Sequence, residues 1–121
     1  MIVGVPRETF PGERRVALVP AVLPVLAKGG LQVVVEAGAG VEAGYPDAEY
    51  VAKGAKVLAE RAEVFRAADI LTQVLCYGSN DSTGKADLPL FHRDQVLVGF
   101  LRPLGSVETI KIGRASCRER V

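Results

Sequence analysis

Apolar residues gather along this chain into short runs of strand length, and stretches with helical spacing separate them. Ile2-Val3-Gly4-Val5 suits a buried parallel strand over residues 2–6, which Pro6 ends because it has no N–H to give to the ladder. Residues 20–29 place Val22, Leu23, Val25 and Leu26 at helical spacing; Pro20 and Pro24 fall in the opening turn and Gly29-Gly30 supplies the stop. The run Gln32-Val33-Val34-Val35-Glu36-Ala37 predicts a strand covered on both faces. A helix from Asp47, a plausible cap, runs to Lys53 and stops at Gly54. A short strand over 56–58, a helix over 60–67 with Val64 and Phe65 inward, and a strand over 70–75 follow. Tyr77 to Asp87, rich in Gly, Ser, Asn and Asp, reads as a loop and as a second wall for any crevice at that end of the sheet. Leu88 to Phe91 makes a short turn of helix, residues 95–100 another buried strand, and a further helix begins near Ser106.

Alternation of strand and helix predicts an α/β fold: a Rossmann-like or flavodoxin-like parallel sheet flanked by helices, incomplete at its C-terminus. In such sheets ligands bind outside the carboxyl ends of the strands. The loop after the first strand puts Arg7, Glu8, Glu13, Arg14 and Arg15 there. Guanidinium groups so placed can clamp a carboxylate or phosphate through paired N–H donors. A solvated loop with internal ion pairs accounts for the same residues.

Composition narrows the class. A length of 121 residues gives one domain, short for a two-domain enzyme. The 49% hydrophobic and 24% charged fractions and the net charge of +1 describe an ordinary globular protein, without the basic surplus that nucleic acid attracts. Apolar stretches break well before the roughly 20 residues of a membrane span, and the opening residues lack the basic segment and long apolar core of a secretory leader, so neither a span nor secretion is expected. Residues 111–121 differ in character, with four basic residues, one acid and no core periodicity. From Ile112 they resemble the in-frame translation of a sequencing adapter, so the domain is expected over 1–110 and the tail over 111–121 is expected to be non-native. Without that tail the net charge falls from +1 to −2, and Cys76 is the one remaining cysteine, which allows no intrachain disulfide.

Other motifs carry less. Gly38-Ala39-Gly40-Val41-Glu42-Ala43-Gly44 after a strand resembles a dinucleotide fingerprint. Its spacing has one residue too many, and a helix starting at Pro46-Asp47 leaves the glycines in a loop. His92 has no cluster of Cys, His or carboxylates around it and reads as an exposed turn residue, so no metal site is expected. Cys76 at a strand end has no histidine near it in sequence to activate it, and Ser79, Ser82 and Ser106 lack a nucleophile-elbow context.

The opening residues carry a further signal. Ile2 to Val5, Pro6-Arg7-Glu8, and Gly12-Glu13-Arg14-Arg15-Val16-Ala17 leading to Pro20 resemble the amino-terminal signature shared by alanine dehydrogenases and the alpha subunits of proton-translocating NAD(P) transhydrogenases. The resemblance covers about residues 1–110 and is most specific in the first 45. It implies that Arg15 matches a substrate-carboxylate arginine, and that NAD binds chiefly to a later Rossmann domain. Alanine dehydrogenases also carry a lysine in the strand corresponding to Ile70–Val74 and a catalytic histidine after the next strand; here those positions read Gln73 and Arg102. Without the carbonyl-polarising lysine and the acid/base histidine, reductive amination lacks its groups. The resemblance therefore points toward a transhydrogenase alpha subunit. That subunit passes hydride between NADH and NADP⁺, coupled to proton translocation, together with a second alpha chain, an NADP-binding beta subunit and a membrane component at the cytoplasmic face of the plasma membrane. NAD and NADP belong to that complex, and tight binding of either to this stretch alone is not expected. Arg15, Gln73 and Arg102 are the expected cleft residues, none of them catalytic. A divergent alanine dehydrogenase and a non-catalytic scaffold domain are the alternatives.

Overall fold

A computed structural model describes residues 1–75 and 84–100. Their strands form a parallel five-stranded sheet: β1 (Ile2–Val5), β2 (Gln32–Glu36), β3 (Lys56–Leu58), β4 (Ile70–Leu75) and β5 (Val96–Phe100), in the order β3-β2-β1-β4-β5. The order resolves the choice that the sequence left open. It is the Rossmann arrangement, in which winding reverses between β1 and β4 and leaves a crevice at their carboxyl ends.

Helices α1 (Leu23–Lys28), α2 (Asp47–Ala52) and α3 (Arg61–Ala67) connect the strands. Leu23 and Tyr50 of α1 and α2 pack with Val3, Val5, Val33 and Val35 on one face. Val64 and Phe65 of α3 pack with Val34 and Leu71 on the other. The alternating β-branched residues of β2 thus serve both layers, as its continuous apolar run required. Gly4 allows α3 to approach: a Cβ there would lie 2.7 Å from that of Ala68. The close approach is one that only glycine permits.

Most predicted elements stand within one or two residues of their expected bounds, with four differences. Val25 points outward at 69% exposure, because a helix of six residues has room for one buried stripe. Asp47 does not cap its own helix; its Oδ1 accepts from the Gly38 N–H at 2.9 Å and closes the turn after β2. Gly84 to Leu90 form a 3-10 helix, so the end of the predicted loop is helical and Asp87 is buried. Finally, β5 is not buried: Val96, Val98 and Phe100 are 41%, 52% and 67% exposed, because among the described residues β5 pairs with β4 alone and stands at the sheet edge. Cys76, Arg102, the rest of the predicted loop, the helix near Ser106 and the tail lie outside the described residues.

The glycine-rich stretch after β2 is a packing device. A Cβ on Gly40 would fall 2.6 Å from both the ring and the hydroxyl of Tyr50. The Tyr50 hydroxyl donates to the Leu18 carbonyl at 2.8 Å, so this buried ring anchors the far end of the loop that follows β1. Burial pushes the Tyr50 phenol up to about 12, helped by the nearby Tyr45 and by Asp47 and Glu49 of α2.

Two expectations follow. Gly40→Ala should destabilise the chain by about 1–3 kcal/mol in chemical denaturation, because Tyr50 must move or the backbone must shift. Alkaline stability should fall as pH rises from 10 toward 12, where the unfolded chain ionises this tyrosine before the folded one does. Tyr50→Phe should remove that part of the pH dependence, which unfolding curves at pH 9 and 11 would reveal.

Candidate functional site

The crevice at the carboxyl ends of β1 and β4 is built on an irregularity in β4. Thr72 pairs with Val98 and Leu75 with Phe100, so β4 spends one more residue than β5 over the same span. This bulge turns Leu75 to the same face as Phe100. Together with Phe10, Pro11, Glu13 and Arg15 they line a cavity of about 470 Å³. An adjoining hollow of about 360 Å³ shares Glu13 and Arg15 and adds Arg7, Glu8 and Glu42. A third, of about 500 Å³, lies at the opposite end of the sheet between α1 and α2, with only Lys53 and Lys56 as charged lining groups.

Because β1 ends at Val5, the end of β4 has no strand to bond on its β1 side. Glu8 takes that place, its two carboxylate oxygens accepting from the Val74 and Leu75 N–H groups at 2.8 and 2.9 Å. Burial raises the Glu8 carboxyl above its ordinary value; the two N–H bonds pull the other way, Glu13 adds to the rise and Arg61 opposes it.

Arg61 organises the base of the crevice. Its guanidinium forms a paired contact with Asp87, at 2.9 Å from each nitrogen, and donates from Nη1 to the Arg7 carbonyl at 2.6 Å. The same Nη1 lies 3.5 Å from Glu36, whose carboxylate accepts the Arg7 N–H at 2.9 Å. Both polar groups of the Arg7 peptide are therefore held by one ion pair. The guanidinium also stacks 5.2 Å from the Phe65 ring centroid. Burial works against the charge on Arg61, yet the hydrogen bond to Asp87 and the charges of Asp87, Glu36 and Glu8 outweigh it and raise its pKa. Sequence reasoning passed over this cluster. Two signals were available: a cation in the first turn of a helix opposes the helix dipole, and an acid closing a run of three valines lies where burial is expected.

Of the expected cleft residues, Arg15 lies on the rim, 65% exposed at its side chain, and paired with Glu13 at 2.7 Å. The hydrogen bond from Arg15 holds the Glu13 carboxyl below its ordinary value. Arg14 meets Glu42 at 3.7 Å, so the loop combines a crevice with the internal ion pairs that its composition also allowed. Gln73 is 3% exposed, and neither polar atom of its amide has a hydrogen-bond partner. The structure therefore brings Arg15 and Leu75, at the end of β4, to one crevice and leaves Gln73 buried and out of its lining, while Arg102 lies outside the described residues. His92 occupies the turn before β5, its Nε2 3.0 Å from the Ala68 carbonyl and from the Gln95 amide. Among the described residues no group of three His, Cys, Asp or Glu side chains is arranged to hold a metal ion. No helix among them is long and apolar enough to cross a membrane.

Comparison with known proteins agrees with this architecture. The family described as alanine dehydrogenase/PNT, N-terminal domain, matches residues 4–116. The NAD(P) transhydrogenase subunit alpha of Cereibacter sphaeroides is 37% identical over 120 residues, covering 99% of this chain and 21% of the subunit. An alanine dehydrogenase of Methanococcus maripaludis is 37% identical over 101 residues, 84% of this chain and 26% of the enzyme. Among solved structures, an L-alanine dehydrogenase superposes with a TM-score of 0.76 at 28% identity, over 90% of this chain and 28% of its own. A transhydrogenase from Sinorhizobium meliloti gives 0.76 at 31%, over 90% and 30%. The chain thus spans between a fifth and a third of the length of these relatives, and it belongs to the alanine dehydrogenase/PNT N-terminal domain family.

Proposed function

We propose that this domain is the amino-terminal part of an NAD(P) transhydrogenase alpha subunit and forms one wall of the cleft in which hydride passes between NADH and NADP⁺. The observation that carries the reading is Gln73. Where the resemblance to alanine dehydrogenases calls for a lysine, this chain has an amide that bears no charge and is buried at the carboxyl end of β4. A buried amide can neither polarise a ketone as an ammonium does nor exchange a proton near neutral pH. Overall similarity does not choose between the relatives, since each is 37% identical.

The nicotinamide cofactors supply the hydride when bound, NAD held chiefly by the Rossmann domain of the complete protein and NADP by the NADP-binding subunit. The residues of this chain shape the surroundings. Phe10, Leu75 and Phe100 give the crevice an apolar wall suited to a flat ring and to the exclusion of water. Arg15 contributes a cationic rim group that can be drawn from Glu13 to an anionic ligand. Arg102 is proposed as a neighbour on the same cleft. The partners of the complete subunit would be a second alpha chain, an NADP-binding subunit and a membrane component that conducts protons at the inner face of the plasma membrane.

The 37% identity to an alanine dehydrogenase, with Arg15 at the crevice, supports the second reading, a divergent amino-acid dehydrogenase. The two part in one assay. The complete protein, assembled with its partner subunits, should reduce an NAD⁺ analogue with NADPH and should not oxidise NADH when given pyruvate and ammonium. Rapid oxidation of NADH dependent on pyruvate and ammonium, without exchange between nucleotides, would contradict the transhydrogenase reading.

A further inference from the structure

The Gln73 amide is an anomaly of energy as well as of sequence. Both its oxygen and its nitrogen are buried without a hydrogen bond, and the whole residue is 3% exposed. Each buried polar group left unpaired costs about 1–3 kcal/mol, so an orphaned amide in a packed core marks a missing partner. The fold spends effort on its neighbours. Val74 and Leu75 have their N–H groups taken by Glu8, and Gln95, the other buried side-chain amide among the described residues, is satisfied by the Phe65 and Ala68 carbonyls at 2.6 and 2.8 Å. Gln73 alone of these is left without a bond.

Its position narrows what the partner is. Gln73 lies within the bulged stretch between Thr72 and Leu75, two residues before the leucine that lines the crevice. Bulges of this kind re-aim side chains beside active sites. No hydrogen bond holds the buried amide in place, so turning toward a ligand in the neighbouring crevice breaks none and gains up to two. A side-chain amide offers one acceptor and a donor pair on one plane. Its best complement is another primary amide, which returns a donor to the oxygen and an acceptor to the nitrogen. Carboxylates and phosphates, by contrast, offer acceptors only.

We propose that Gln73 is the group of this domain that recognises the carboxamide of a nicotinamide ring seated in the crevice against Phe10, Leu75 and Phe100. The inference rests on the nucleotide-cleft reading above and adds a specificity-determining residue to it. The signature is a trade of stability against binding: the amide is a burden on the fold until the ligand arrives.

The test uses the full-length protein that carries this domain, with Gln73→Met, close in shape and apolar, and Gln73→Leu as a second variant should Met pack poorly. Thermal unfolding without ligand is measured first. NAD⁺, ADP-ribose and the acetylpyridine analogue of NAD⁺, which keeps the ring carbonyl and lacks the amide nitrogen, are then titrated by calorimetry. Expected are an unfolding temperature equal to or above that of the parent, unchanged affinity for ADP-ribose, and about tenfold weaker NAD⁺ binding, the loss of two hydrogen bonds. The parent's preference for NAD⁺ over its analogue should disappear in the variant. A lowered unfolding temperature in both variants, or NAD⁺ affinity and analogue preference equal to the parent's, would overturn the assignment. A parent that binds ADP-ribose and NAD⁺ equally would also overturn it, whereas a parent that binds neither would sink the nucleotide-cleft reading itself.

Discussion

The largely buried guanidinium of Arg61 is the constraint on which the rest of this structure depends. It sits where three separate pieces of chain must meet: the loop leaving β1, the end of β2, and the 3-10 helix before β5. Without it, two of these pieces would each leave a carboxylate buried and the third would leave a carbonyl without its donor. Glu36 would be an unpaired carboxylate, the Arg7 carbonyl an unpaired acceptor, and Asp87 a second unpaired charge. One side chain with several fixed donors satisfies all three, which is the property that distinguishes arginine from lysine. Breaking a buried pair of this kind typically costs about 3–5 kcal/mol, because the partner charge stays buried.

The consequence for function is geometric. With the Arg7 peptide held on both sides, the next residue, Glu8, is placed to close the exposed end of β4, and the loop from Thr9 to Arg15 must then arch over the crevice. Tyr50 fixes the far end of the same loop through the Leu18 carbonyl. The span that carries Arg15 is thus tied at both ends to the core and lined with its own ion pairs between them. A wall built in this way keeps its shape before a ligand arrives, which is what the proposed cleft between two nicotinamide rings would require.

How much of this could be read from the sequence depends on the range of the interaction. Strand and helix identities follow from local periodicity, and β2 and α3 show it: three valines in succession, and Val64 with Phe65 on one stripe, have few other ways to be buried. The helix start after the Gly38–Gly44 stretch was legible too, because Pro46 and Asp47 mark it. Edge exposure was not. The run Val96 to Phe100 has the composition of a central strand, and only the sheet order shows that nothing pairs with its outer side among the described residues. The site divides in the same way. Arg15 was found through a local motif, whereas the Arg61 cluster joins residues 7, 36, 61 and 87, and no window along the chain contains it. Gln73 was singled out by resemblance, but its orphaned amide is a fact of packing that sequence cannot hold.

Hydrogen exchange at three amides tests the central claim most directly. The N–H groups of Arg7, Val74 and Leu75 bond to side-chain carboxylates rather than to a neighbouring strand, so their protection reports on the Arg61 and Glu8 clamps and not on the sheet. The account predicts strong protection of all three in the parent protein, and its joint loss in Arg61→Met while the β1–β2 ladder amides stay protected. Retention of protection at all three in that variant, or its absence in the parent, would contradict the claim that one buried guanidinium holds the crevice together.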